Sequence, residues 1–394
     1  MVSFEYYTPT RVVFGAGAEK QVGALLQQQG AHKVLIHYGG GSAVRSGLID
    51  RIKASLTEQG IGFVELGGVA PNPRLSLVYE GIALCRREQV DFLLAVGGGS
   101  VIDSAKAIGY GLVNDGDVWD FYDRKRVATA CAPIGVVLTI AAAGSEMSNS
   151  SVITKEDGGI KRGYSNDLAR AKFAVMDPEL TLTLPDYQTA CGCVDILMHT
   201  MERYFVSGNR MQLTDGIAEA LMRTVIRNAR ILRDDPQNGD ARAEIMWAGS
   251  LSHNGLTGCG NNGNDFATHK LEHELSGMFD VAHGAGLAAL WGSWARYVMH
   301  ANLPRFTRFA VEVMGCEMNY ANPEETALAG VAAFESFCRS VGMPSNLREL
   351  GLGDITEAQM HEMAVKCTQN DTLKIGGLVR LYAADIEKIY AAAK

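Results

Sequence analysis

Apolar positions recur along this chain in two different rhythms, and the change falls near its middle. In the first half, short apolar runs alternate with amphipathic stretches. KVLIHY (33–38) reads as a buried strand, followed by a glycine turn and a helix through LIDRIKASLTEQG. FVEL (63–66), a loop GGVAPNPR, a helix over 75–88, the strand DFLLAVGGGS and a helix through VIDSAKAIGYG continue the series. IGVVLTI (134–140) and KFAVMD (172–177) predict further strands. Strand and helix in alternation argue for a mainly parallel sheet covered on both faces, an open doubly wound α/β arrangement of Rossmann type.

After PELTLTLPD (178–186) the period changes. DILMHTMERYF, DGIAEALMRTVIRNARILRD, ALAGVAAFESFCRSV and GLVRLYAADIEKIYAAA have helical spacing, and the second half is expected to be all helical. Pro185 closes the last strand signal, so the boundary is placed there, with an α/β domain over 1–184 and a helical domain over 185–394. A length of 394 residues suits two domains. An active site assembled from both is expected in the cleft between them.

Composition narrows the function classes. With 47 % hydrophobic and 20 % charged residues and no apolar run of membrane-spanning length, no membrane role is expected. The first residues, MVSFEYYTPTRVVFG, lack the basic-then-apolar pattern of a secretory signal. Eight dispersed cysteines with no CxxC suit reduced thiols, and a cytoplasmic protein is expected. A net charge of −8 without a Lys/Arg cluster argues against nucleic acid as a partner.

Two glycine turns carry the first candidate chemistry. Gly97-Gly98-Gly99-Ser100 lies between a strand and a helix, where glycines let the backbone approach a pyrophosphate and the helix N-terminus offers free N–H groups. Ser100 is positioned to cap that helix, and Asp103 to complete a capping box. A tight turn without a ligand is the alternative, and the GxGxxG fingerprint is absent. The first turn, YGGGS (38–42), has no acid at the strand end where one would bind ribose hydroxyls and repel a 2′-phosphate. Backbone N–H groups, Ser42 and Arg45 are left to accept that phosphate, which predicts NADP(H) over NAD(H). A surface turn with a solvated arginine is the alternative.

The second candidate chemistry lies in HKLEHELSGMFDVAHGAG (269–286). His269 and His273 are four apart and share a helix face, a coincidence expected about 0.2 times by chance with nine histidines. His283 follows before Gly284 and Gly286, and Asp195 and His199 form a second i, i+4 pair. One carboxylate and up to four imidazoles suit one divalent Fe, Zn or Mn ion without thiolate. His32, His37, His253, His300 and His361 have no comparable context. Phe266, Trp291 and Trp294 stand near the motif in sequence, with core packing the expected role.

The motifs together resemble the iron-containing alcohol dehydrogenase family, in its butanol dehydrogenase and broad-substrate aldehyde reductase branch. The resemblance runs from TPTRVVFGAGA through YGGGS, PNP, AVGGGSVIDSAKAI, AGSEMS, AVMDPELTLTLP and DILMHTMERY to HKLEHELSGMFDVAHGAGL. It implies a Rossmann-like dinucleotide-binding domain, a helical metal-binding domain, and a homodimer. It further implies that Asp195, His199, His269 and His283 hold one Fe(II) or Zn(II). His273 then stands beside a small aldehyde or alcohol substrate, a separation from His269 that spacing alone does not make, and the near-neutral pKa of histidine makes it the candidate proton relay. Implied cofactor contacts are Gly39, Gly40 and Ser42, Gly97, Gly98, Gly99 and Ser100 with Asp103, then Thr139 and Lys161. Many relatives read TGSE where this chain has Ala143-Gly144-Ser145-Glu146, so one hydroxyl near the cofactor is missing. The competing readings are an NAD-dependent polyol dehydrogenase of glycerol type, a lyase resembling dehydroquinate synthase, and a dinucleotide-binding sensor without turnover.

Overall fold

The computed structural model describes residues 1–208 and 211–394. Its contacts divide the chain into two compact units, Tyr7–Leu184 and Pro185–Lys394, the latter joined by Met1–Tyr6. The first six residues were expected with the α/β part. They pack instead with the helical unit, where the Val2 N–H donates to the Gly260 carbonyl at 2.9 Å.

The first unit is built on six parallel strands: β1 (Arg11–Phe14), β2 (Lys33–Gly39), β3 (Gly62–Val69), β4 (Phe92–Gly97), β5 (Ile134–Leu138) and, last in the chain, Phe173–Met176. Between β5 and that last strand, β6 (Ser150–Lys155) and β7 (Ile160–Ser165) form a separate antiparallel hairpin, so Phe173–Met176 is β8. The order in the sheet is β1-β8-β5-β4-β2-β3. β4, β5 and β8 are buried at every residue, as strands covered on both faces must be. Val34, Ile36, Leu94 and Val96 pack with Leu25, Leu26, Ile49 and Ile52 of the helices Val22–Gln28 and Leu48–Glu58. On the opposite face His37 reaches Ser104 of the helix Gly99–Val113.

The edge strand β1 and the β6–β7 hairpin were not anticipated. RVVF is too short for its period to register, and the hairpin is half polar. The connection after β2 leads outward to β3, and the next returns to the other side of β2. Strand order therefore reverses between β2 and β4. In open α/β sheets a ligand crevice lies at the carboxyl ends of the strands flanking such a switch.

In the second unit the described residues form helices, with one isolated bridge between Ile375 and Leu381. Trp291 and Trp294 are fully buried against Phe205, Phe309 and Phe334, which makes them core residues and removes them from any pocket wall. Among the described residues no helix is long and apolar enough to cross a membrane.

Candidate active site

Both glycine turns sit at the carboxyl ends of the two strands that flank the switch point. β2 and β4 are neighbours, with Tyr38 opposite Val96, so Gly39 and Gly97 emerge side by side. A Cβ on Gly97 would come within 2.5 Å of Val101 Cγ2, and one on Gly39 within 3.8 Å of the same atom. Gly98 and Gly99 are held for space: added Cβ atoms would stand 3.0 Å from Ile140 and 3.0 Å from Ala143. Gly41 differs, with a φ of 114° that side chains rarely adopt, and it turns the chain into the short helix Ser42–Arg45. Ser42 and Arg45 are exposed. The acid on the adjoining strand, Glu65, is paired with Lys53 at 2.7 Å.

The expected cap is not formed. Gly98 is the N-cap of the helix Gly99–Val113 and no side chain caps it, because the helix starts two residues earlier than a Ser100 cap requires. Asp103 points elsewhere: Oδ1 accepts from Ser145 Oγ at 2.6 Å and Oδ2 from the Val152 N–H at 2.9 Å. It thereby ties the turn to the segment 145–152. Lys106, fully buried one turn on, donates to the carbonyls of Ser145, Ser148 and Ser150 at 2.7–3.0 Å and to the hydroxyl of Ser145 at 3.0 Å. Burial lowers its ammonium to about 8, with Asp103 and Glu146 opposing that shift. Thr139 is brought to the turn by its N–H bond to the Gly97 carbonyl at 3.1 Å. Lys161 is buried in β7 opposite Thr154. Lys106 was passed over in the motif reading, although a lysine inside an otherwise apolar helical stretch is itself a signal of a buried partner set.

The histidines gather in the second unit. Asp195 and His199 lie one turn apart on the helix Asp186–Tyr204, His269 and His273 on the helix Ala267–Phe279, and His283 opens the helix His283–Val298. Gly284 makes the last approach possible, since a Cβ there would fall 2.1 Å from the Cys191 carbonyl oxygen on the first of these helices. Three imidazoles then face Asp195 Oδ1: His199 Nδ1 at 3.3 Å, His269 Nε2 at 3.5 Å and His283 Nε2 at 3.8 Å. The ring of His273 is buried nearby, 6.5 Å from that of His269 and 6.0 Å from that of His283.

The donor atoms fit a metal ion. Asp195 Oδ1, His199 Nδ1 and His269 Nε2 are buried and make no hydrogen bond, although they lie within 4.8 Å of one another. Buried polar atoms are ordinarily satisfied, so three converging orphans describe a set arranged for a cation. Nitrogen and carboxylate donors without thiolate suit Fe(II) or Zn(II). Burial pushes His199 well below its ordinary value, and His253, His269 and Arg203 add to the shift. His269 behaves oppositely. Burial disfavours its charged form, yet Glu202 and Asp195 outweigh that and raise it to about 9.

Several residues around the cluster were missed in the sequence. Glu202 and Glu272 are fully buried; the first is bonded to Nδ1 of His269 and the second to Nδ1 of His283. His253, given no role, packs against His199 with ring centroids 3.9 Å apart and the rings tilted by 59°, and Arg203 lies 3.2 Å from its Nδ1. The signal for the two acids was present: Glu202 follows His199 by three positions and Glu272 follows His269 by three, which puts each acid on the ligand face.

Comparison with known proteins finds related sequences and structures along nearly the whole chain. Residues 9–178 match the family model described as iron-containing alcohol dehydrogenase, and residues 189–394 match that of the C-terminal part of the Fe-containing alcohol dehydrogenase family. The chain is 40 % identical over 391 residues to NADH-dependent butanol dehydrogenase A of Clostridium acetobutylicum, covering 99 % of each protein. It is 36 % identical over 362 residues to the NADPH-dependent aldehyde reductase YqhD of Escherichia coli, covering 89 % of this chain and 90 % of that protein. The crystal structure of an NADH-dependent butanol dehydrogenase A from Thermotoga maritima superposes with a TM-score of 0.95 at 36 % identity, over 100 % of this chain and 99 % of the other.

Proposed function

We infer the function from the premise that the chain belongs to the iron-containing alcohol dehydrogenase family and is an NAD(P)-dependent, metal-containing alcohol dehydrogenase or aldehyde reductase. From that premise we propose that it interconverts small apolar aldehydes such as butanal with their primary alcohols, using NADP(H) and one Fe(II) or Zn(II). The observation that carries the metal assignment is the group of three unbonded, buried donor atoms on Asp195, His199 and His269, with His283 as the fourth ligand. When bound, the ion is a Lewis acid for a carbonyl oxygen and the reduced nicotinamide a hydride donor.

The chain's own residues hold and orient the reactants. Gly39, Gly40 and Ser42 receive the adenosine end of the coenzyme, and the turn Gly97–Ser100 with Thr139 receives its pyrophosphate on backbone N–H groups. Lys161 would be a further coenzyme contact. Asp103, with its carboxylate committed to Ser145 and Val152, ties the turn to the segment 145–152 and would be a further coenzyme contact. His273 holds the proton that reduction of an aldehyde consumes. The compartment is the cytoplasm, in keeping with eight free cysteines, and the assembly implied by the resemblance is a homodimer.

A specific observation favours each coenzyme. The turn after β2 carries no carboxylate and Glu65 is engaged by Lys53, which favours NADP(H); the butanol dehydrogenases similar to this chain are described as NADH-dependent, which favours NAD(H). Nicotinamide absorbance with butanal, using protein stripped of metal and reloaded with Fe(II) or Zn(II), tests the whole reading. Turnover should return only with metal, and kcat/KM should be higher for NADPH; a clear NADH preference overturns the coenzyme assignment. In the same assay His273→Ala should lower kcat by about 100-fold, and full turnover at every pH would remove its relay role.

A further inference from the structure

We propose that Glu202 and Glu272 are positioning residues for the metal, each gripping one ligand imidazole by Nδ1 so that its Nε2 faces Asp195. The proposal rests on the reading of Asp195, His199, His269 and His283 as the ligands. Glu202 takes two donors from the same residue: Oε1 accepts the His269 main-chain N–H at 3.0 Å, and Oε2 is bonded to His269 Nδ1. Ring and backbone of His269 are thus tied to one carboxylate, which leaves its side-chain torsions little freedom. Glu272 divides its oxygens differently. Oε2 is bonded to His283 Nδ1, and Oε1 accepts from Ser276 Oγ on the same helix.

Both acids are 0 % exposed, and the surrounding backbone is shaped to admit them. A Cβ on Gly286 would stand 2.9 Å from Glu272 Cγ, so the second glycine of His283-Gly284-Ala285-Gly286 leaves room for the acid, as the first leaves room for the Cys191 carbonyl. Glu202 comes from the helix that also carries Asp195 and His199, and it engages a ligand on the helix Ala267–Phe279. The two grips therefore cross-link the ligand-bearing helices. An imidazole whose Nδ1–H donates to a carboxylate presents a lone pair on Nε2, and the neighbouring negative charge makes that nitrogen a stronger donor.

The test compares the unmutated full chain with Glu202→Ala, Glu202→Gln, Glu272→Ala, Glu272→Gln and Asp195→Ala. Zn(II) affinity is read by competition with a chromophoric chelator, coordination by the ligand-field spectrum of the Co(II)-loaded protein, and folding by melting of the metal-free protein. The alanine variants should bind Zn(II) about 10- to 100-fold more weakly. The glutamine variants, which keep shape and an acceptor, should fall between them and the unmutated chain, and the Co(II) bands should shift. Folded alanine variants with unchanged Zn(II) affinity and unchanged Co(II) bands overturn the proposal. Should an alanine variant fail to fold, its glutamine counterpart is judged by the same criterion. No stoichiometric Zn(II) binding by the unmutated chain, or none lost in Asp195→Ala, would overturn the ligand assignment itself and the proposal with it.

Discussion

Buried histidines occur in both units, and they live under opposite conditions. His37 in the sheet has Nδ1 against the Leu66 carbonyl at 2.8 Å and Nε2 against Ser104 Oγ at 2.9 Å, so the protein meets both of its needs. In the helical unit His199 Nδ1 and His269 Nε2 are likewise buried but make no hydrogen bond, and they gather with Asp195 Oδ1. A satisfied imidazole is a strut between strand and helix. An imidazole whose second nitrogen faces a carboxylate and other imidazoles without a hydrogen bond is arranged for a cation. The same contrast separates the two halves of the chemistry. Around Gly97–Ser100 the protein offers main-chain N–H groups by leaving side chains out, whereas around Asp195 it offers side chains and withholds other partners.

The largest effect should come from breaking the unsatisfied set. Asp195→Ala removes the atom on which three imidazoles converge, and activity should fall by about a thousandfold or more. Metal content should fall with it, while coenzyme binding followed by nicotinamide fluorescence stays near that of the unmutated protein. Loss of coenzyme binding in this variant would contradict the division of labour between the units.

A smaller effect sharpens the other side of the comparison. Burial lowers His37 from 6.5 to about 4, so the fold holds the neutral ring while the unfolded chain takes up a proton between those values. Stability should therefore fall by about 3 kcal/mol as pH drops from 6.5 toward 4, and this group leaves it unchanged above that window. In urea unfolding from pH 7 to pH 4, the unmutated chain should lose more stability than His37→Gln over that window. Parallel pH profiles would show that His37 is not held neutral.

The smallest effect concerns the turn. Gly99 approaches Ala143 so closely that position 143 borders the same backbone. Restoring a hydroxyl with Ala143→Thr should tighten coenzyme binding by about 1 kcal/mol, roughly fivefold, without changing metal content. Weaker binding, measured by titration calorimetry, would mean that the methyl group is there for space.

Much of this could be read in the sequence wherever the physics is local. The period-2 and period-3.6 patterns named β2, β3, β4, β5 and β8 and the helical second half, because each element must bury a contiguous face. The glycine turns were visible because the residues that form each turn are adjacent in sequence. Asp195 with His199 and His269 with His273 were visible because one helical turn puts i and i+4 on one face. Which of His269 and His273 turns to Asp195 depends on how three helices cross, and only the tertiary structure decided it, with Gly284 letting His283 close on the cluster. Tertiary structure likewise turned Asp103 toward Ser145 and Val152, joined Met1–Tyr6 to the helices, and placed Glu202 and Glu272 behind the imidazoles. The periodicity of a sequence records which face of an element is buried; what that face meets is set by packing between elements far apart in the chain.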